Sequence, residues 1–264
     1  MRAIILAAGS GNRLRPLTNE RPKCLVPLYG RPILDYSLEA IGHVNIHDVT
    51  IVTGYRADAI QELGLPTRHN ARFSSTNMVH SLFCAEDLFD DDILISYGDI
   101  VYGRQFLETT LAAAGDFVVT VDRRWRELWE MRMEDPLADA ETLRLDDQGR
   151  ILELGKKPQT LAEIQGQYIG LIMIRRVALD LVCAYYHEMD RNALYDGKDF
   201  DNMYLTSFIQ AVIDHVMPVT AAFVEGGWVE VDSVEDLETY TLRESEIRRR
   251  LSGYQGQEEI HGDS

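Results

Sequence analysis

The order of apolar and polar positions along the chain predicts alternating strands and helices. Residues 3–6 are an unbroken apolar run and read as a buried strand. Over 32–42 the apolar side chains of Ile33, Leu34, Leu38 and Ile41 recur at helical spacing, which predicts an amphipathic helix. The alternation continues as strand 49–52, helix 56–62, an extended piece at 66–69, helix 77–88 and strand 93–96. Beyond residue 116 strands become denser, at 116–121, 141–145, 150–154 and 167–174, with helices at 176–189 and 202–215. A last strand at 228–231 leads into helix 233–250. This order predicts an α/β fold with a doubly wound, mostly parallel sheet whose β-rich second half elaborates one edge.

No internal repeat and no Pro-, Gly- or Ser-rich linker divides the chain. One domain over 1–251 is expected, with halves at 1–115 and 116–251, and the polar, aperiodic stretch 252–264 reads as a disordered tail.

Composition narrows the partners. The 264 residues are 45% hydrophobic, enough for a sizeable core. Asp and Glu number 43 against 26 Lys and Arg, a formal charge of −17 that repels nucleic acid and anionic lipid. Any anionic ligand must meet its basic residues at a defined place. Cys24, Cys84 and Cys183 are widely separated and form no CxxC pair, which suggests a reducing, cytoplasmic setting without structural zinc. The apolar start is too short for an export signal and runs directly into Asn12, Arg13 and Arg15. No run approaches the roughly 20 apolar residues of a membrane span.

The loop after the first strand carries the chemistry. A dinucleotide fingerprint needs a third glycine where Leu14 stands, and a Walker A loop needs a terminal Gly-Lys-Ser/Thr that is absent. What remains is a strand running into Gly9-Ser10-Gly11, with Arg13 and Lys23 within reach of the same place, an arrangement suited to a triphosphate. The stretch LAAGSGNRLRPLTNERPKCLVPLYGRPIL closely resembles the G-x-G-x-R-x-x-P-L-T…P-K signature of nucleotidyltransferases that activate phosphorylated small molecules. Gly9, Gly11, Arg13, Pro16, Leu17, Thr18, Pro22 and Lys23 carry the match.

The resemblance implies a Rossmann-like nucleotidyltransferase fold and an attack by an acceptor phosphate on the α-phosphorus of a nucleoside triphosphate, with pyrophosphate leaving. Catalysis would then be charge neutralisation and alignment. It assigns Arg13 and Lys23 as catalytic cations, and Leu6, Ala7, Ala8, Gly9 and Gly11 as backbone contacts to the nucleotide. Asp99, beyond strand 93–96, and Asp232, in the W-x-E-x-D-x-x-x-D-L pattern from Trp228, would hold magnesium. Asp232 could instead cap the following helix, whereas Asp236 and Glu238 read as solvated helix residues.

The stretches TNMVHSLFCA, ISYGDIVY and DNMYLTSFIQ resemble bacterial cytidylyltransferases that take phosphocholine, phosphonates or a phosphorylated amino acid such as phosphoglutamine, including enzymes of capsule modification. This resemblance implies CTP as donor and a small phosphorylated acceptor. Asn77 and Ser81 are candidate cytosine contacts, or alternatively a cap and a core position. Lys156, Lys157, Tyr168, Glu230, Trp125 and Trp228 are candidate acceptor contacts, although Trp125 and Trp129 also have the spacing of a helical core stripe. Aromatic residues in 121–132 would suit a quaternary ammonium, and its four arginines a carboxylate. A homo-oligomer is compatible with the sequence, as are a sugar-1-phosphate nucleotidyltransferase and a non-catalytic nucleotide-binding module.

Overall fold

A computed structural model describes residues 1–252; residues 253–264, which hold all but the first position of the expected tail, lie outside the described residues. The first strand, Arg2–Ala7, sits inside a seven-stranded sheet. It pairs in parallel with Val49–Thr53 on one side and Ile93–Tyr97 on the other, and Thr67–His69 extends the first side. Beyond Ile93–Tyr97 come Gln167–Ile174, antiparallel to both its neighbours, then Phe117–Asp122 and the edge strand Thr220–Val224. Strands from both halves of the chain therefore share one mostly parallel, Rossmann-like sheet.

Burial on both faces explains the unbroken apolar runs. Along the first strand Ala3, Ile5 and Ala7 face one core, which includes Ile33, Leu34 and Ile41 of the helix Ile33–His43. Ile4 and Leu6 face the other, beneath helices Met78–Phe83, Arg176–Glu188 and Leu205–His215.

Several elements depart from the apolar pattern. The expected helix 77–88 ends at Phe83, followed by a single 3-10 turn at Glu86–Leu88. Helix 233–250 is two helices, Val234–Leu242 and Glu244–Ser252, separated at Arg243 by non-helical dihedrals. Helix Arg104–Ala112 lacks a continuous apolar stripe in the sequence, because buried Thr110 interrupts it. Edge strand Thr220–Val224 carries little strand signal in the sequence, because its two alanines have weak strand preference. Helix Trp125–Arg132 buries Trp125 and Trp129 along the helical core stripe their spacing allows, and strand Ile100–Tyr102 is a further element outside the apolar pattern. That last strand pairs antiparallel with Trp228–Glu230, forming a ribbon beyond the carboxyl end of Ile93–Tyr97.

Candidate active site

The first strand sends its carboxyl end between two parallel neighbours reached in opposite directions, the place where open α/β sheets bind ligands. Gly98 permits a close approach there: its N–H donates to the Leu6 carbonyl at 3.0 Å, and a Cβ would lie 2.9 Å from that oxygen. The resulting cleft is lined by Leu6, Ala7, Ala8, Gly9, Lys23, Asn77, Ser81 and Asp99, among others. Gly11 contributes differently. Its φ of +58° lets the loop fold over Thr18 and Lys23, where a Cβ would meet side-chain carbons at 3.0 and 3.1 Å. The buried Thr18 hydroxyl then closes the loop by donating to the Gly11 carbonyl at 2.8 Å.

At the cleft's inner end Lys23 Nζ donates to Asp99 Oδ2 at 2.7 Å and to Asp232 Oδ1 at 2.6 Å, while exposed Arg13 pairs with Asp232 Oδ2. Burial disfavours the ammonium, but Asp99, Asp232 and Glu230 outweigh it and raise its pKa. Asp99 Oδ1 is buried and has no hydrogen-bond partner. Asp232 does not cap the next helix: Ser233 does, in a reciprocal capping box with Asp236. Both Asp232 carboxylate oxygens are thus available to cationic groups.

Behind this cluster lies a network that the sequence pattern concealed. Asp236 is buried, contrary to its expected solvated position, and its Oδ2 accepts the backbone N–H groups of Asp232 and Ser233, each at 2.9 Å. Arg132 donates to both Asp236 oxygens, at 2.8 and 3.1 Å, and to Glu230 Oε2 at 2.8 Å. Burial raises the Glu230 pKa against the opposing pull of Arg132. Opposite Asn77 and Ser81, fully buried Asn70 donates to Thr76 Oγ1 and Ser81 Oγ, each at 3.0 Å. Asn77 itself caps its helix by accepting from the Met78 N–H at 2.8 Å. The polar atoms of both predicted base contacts are therefore also structural.

The predicted acceptor residues divide sharply. Trp125 and Trp228 belong to the core rather than an open aromatic cage, because they are 4% and 2% exposed and flank Trp129, with ring centroids 5.7 and 6.1 Å away. The Trp228 indole donates to buried Asp122 at 2.8 Å. Lys156 pairs with Glu153 at 3.0 Å, and Lys157 donates to the carbonyls of Leu137 and Ala138, partners outside the carboxylate cluster. Nor are the four arginines of 121–132 gathered for an acceptor carboxylate: Arg123 covers Phe223, Arg124 pairs with Glu127, Arg126 with Glu130, and Arg132 with Glu230 and Asp236.

Tyr168 packs edge-to-face on Tyr97, with ring centroids 5.7 Å apart. Gly170 makes this packing possible, since a Cβ there would lie 2.5 Å from the Tyr97 ring. Glu141, which no motif marked, acts electrostatically on both tyrosines. Burial first, then Asp139, Asp196 and Glu230, push its carboxyl up to about 7, against a hydrogen bond with Thr206 that lowers it.

Residues 3–178 match the model of the MobA-like NTP transferase domain. The chain belongs to this family. It is 41% identical over 249 residues to the CTP:phosphoglutamine cytidylyltransferase of Campylobacter jejuni, covering 90% of this chain and 98% of that protein. It is also 35% identical over 136 residues to the CMP-5'-(3-aminopropyl)phosphonate synthase of Streptomyces rubellomurinus, covering 48% of this chain and 22% of that one. Among solved structures, the inositol-1-phosphate CTP transferase of T. maritima has a TM-score of 0.70 at 19% identity, covering 94% and 96% of the two chains. The CTP:phosphocholine cytidylyltransferase of Streptococcus pneumoniae has a TM-score of 0.68 at 20% identity, with coverages of 92% and 98%. These low-identity structures share the nucleotidyltransferase fold. Among the described residues of this family member no helix is long and apolar enough to cross a membrane, and no three His, Cys, Asp or Glu side chains converge as a metal cluster.

Proposed function

We propose that this chain is a magnesium-dependent cytidylyltransferase that moves CMP from CTP to a small phosphorylated acceptor carrying an amino group, releasing pyrophosphate. The observation that carries the reaction is Lys23 held between Asp99 and Asp232, with Arg13 on the outer oxygen of Asp232. Two anions must meet for an acceptor phosphate oxygen to bond to the α-phosphorus as the bond to pyrophosphate breaks. Lys23 would offset charge at that meeting point, and the exposed guanidinium of Arg13 would exchange its pair with Asp232 for the leaving phosphates. No side chain needs to act as a nucleophile or take a proton, because the acceptor phosphate is already anionic.

The donor set suits magnesium, which takes one or two carboxylates together with phosphate oxygens. Asp99, with its buried unpartnered oxygen, and Asp232 would hold the ion, which when bound supplies further neutralisation of phosphate charge. The small residues Ala7, Ala8 and Gly9 let the nucleotide lie against backbone at the strand end. Glu141, a partly buried carboxyl beside Tyr97 and Tyr168, supports an acceptor bearing a cation. The similarity to the phosphoglutamine enzyme of C. jejuni supports the same class, since an amino acid carries an ammonium group.

The test is pyrophosphate release with the four common nucleoside triphosphates crossed against phosphoglutamine, phosphocholine, aminoethylphosphonate and glucose 1-phosphate, with and without magnesium. Turnover is expected with CTP, magnesium and an amino-bearing acceptor. Preferential use of glucose 1-phosphate would replace this reading with an NDP-sugar synthesis.

A further inference from the structure

Arg132 lies about a hundred residues before the turn it grips and is nearly inaccessible, its side chain 4% exposed. Its fork reaches two elements at once: Nη1 donates to Glu230 at the end of the ribbon, while Nε and Nη2 donate to Asp236 in the first turn of the following helix. Asp236 passes the restraint on, because its Oδ2 receives the backbone N–H groups of Asp232 and Ser233. The turn carrying Asp232 is thereby held from behind, through its backbone, leaving the Asp232 carboxylate directed at Lys23 and Arg13.

We propose that Arg132 is a positioning residue for the metal site, acting through Asp236 to fix where the Asp232 carboxylate stands. This rests on the reading of Asp99 and Asp232 as the metal ligands. Arginine is required for its geometry as well as its charge: two parallel bonds to one carboxylate and a third to another define an orientation, which lysine cannot reproduce. Removing a group that orients a metal ligand typically weakens metal binding about 10–100-fold.

The experiment measures Mn2+ binding to the full chain by electron paramagnetic resonance in the presence of a non-hydrolysable CTP analogue, for wild type, D232N, R132K and D236N, with thermal melts of each. R132K keeps the buried positive charge, and D236N keeps an oxygen that can accept the backbone bonds. Each is expected to bind Mn2+ about tenfold more weakly than wild type, and the double variant R132K/D236N to be no worse than the weaker single variant, because both act on one restraint. In turnover at saturating Mg2+, KM for CTP should stay near wild type. Unchanged Mn2+ affinity in a folded R132K overturns the positioning role; if R132K does not fold, unchanged affinity in D236N does so. Wild-type Mn2+ binding that D232N leaves untouched removes the metal-site reading itself, and the role of Arg132 with it.

Discussion

The Val231 N–H donates to the Asp99 carbonyl at 2.9 Å, the hydrogen bond next to the three-residue ribbon that pairs Trp228–Glu230 with Ile100–Tyr102. Through it two aspartates 133 positions apart arrive on the same ammonium, that of Lys23. The carboxylate pair is thus a product of backbone pairing, and the side chains inherit their meeting place from the ribbon.

Lys23→Ala should leave the fold standing and lower kcat by about 10²–10³-fold, the scale seen when one charge-stabilising donor is lost from a site. The position lies in a short 3-10 turn and its Nζ bonds are confined to Asp99 and Asp232. Steady-state turnover alongside a thermal melt checks this. A near-normal kcat would remove Lys23 from the chemistry.

Gly98→Ala places a Cβ 2.9 Å from the Leu6 carbonyl and 3.1 Å from the Ala7 Cβ, against backbone that cannot move without opening the sheet end. Weaker CTP binding and a lower melting temperature should appear together. Measured by calorimetry, CTP affinity equal to wild type would show that this close approach is dispensable.

Trp228→Phe tests whether this residue belongs to the core or to the acceptor site. Phenylalanine retains most of the packing against Trp129 but leaves the buried Asp122 Oδ2 without its indole donor, a loss of about 1–3 kcal/mol. Denaturant unfolding should register this loss while KM for the acceptor stays near wild type. A raised acceptor KM with unaltered stability would restore Trp228 to the acceptor pocket.

Glu141→Gln should raise KM for an amino-bearing acceptor and leave KM for CTP alone, as measured by initial rates. It also carries a pH signature without any ligand. The folded-state pKa of about 7 lies above the ordinary value of 4.5, so the folded chain holds this proton longer than the unfolded chain. The stability associated with it is complete below about 4.5 and is lost as pH rises through 7. The variant lacks this loss. Its melting temperature should therefore match wild type near pH 4.5 and exceed it at pH 8, by roughly 2–4 °C for each 1 kcal/mol involved. Parallel melting profiles across that range would show that Glu141 does not titrate this way.

What could be read in advance was whatever the chain keeps local. The glycine-rich loop with Arg13 and Lys23 occupies one continuous stretch, and the W-x-E-x-D pattern singles out Asp232 through its resemblance to nucleotidyltransferases. Asp99 was legible because it follows an apolar strand directly. Acceptor contacts were harder to read, since tryptophans and arginines serve equally in cages and in cores. Only packing shows that Trp125 and Trp228 are core and that Arg123, Arg124, Arg126 and Arg132 each have partners of their own.

By itself the sequence determined the alternation of strands and helices, the glycine-rich loop after the first strand, and the candidate residues for phosphate chemistry. The alternation follows from periodicity and short-range spacing, which local sterics and apolar burial impose on any chain; the candidate chemistry follows from the resemblance to nucleotidyltransferases. The tertiary structure alone decided that Arg132 grips Asp236 and Glu230, that Asn70 backs Ser81, and that Asp139, Asp196 and Glu230 act on Glu141. The hydrogen bonds among them join residues 11 to 104 positions apart, and their partners are chosen by which faces the sheet and its ribbon bring together.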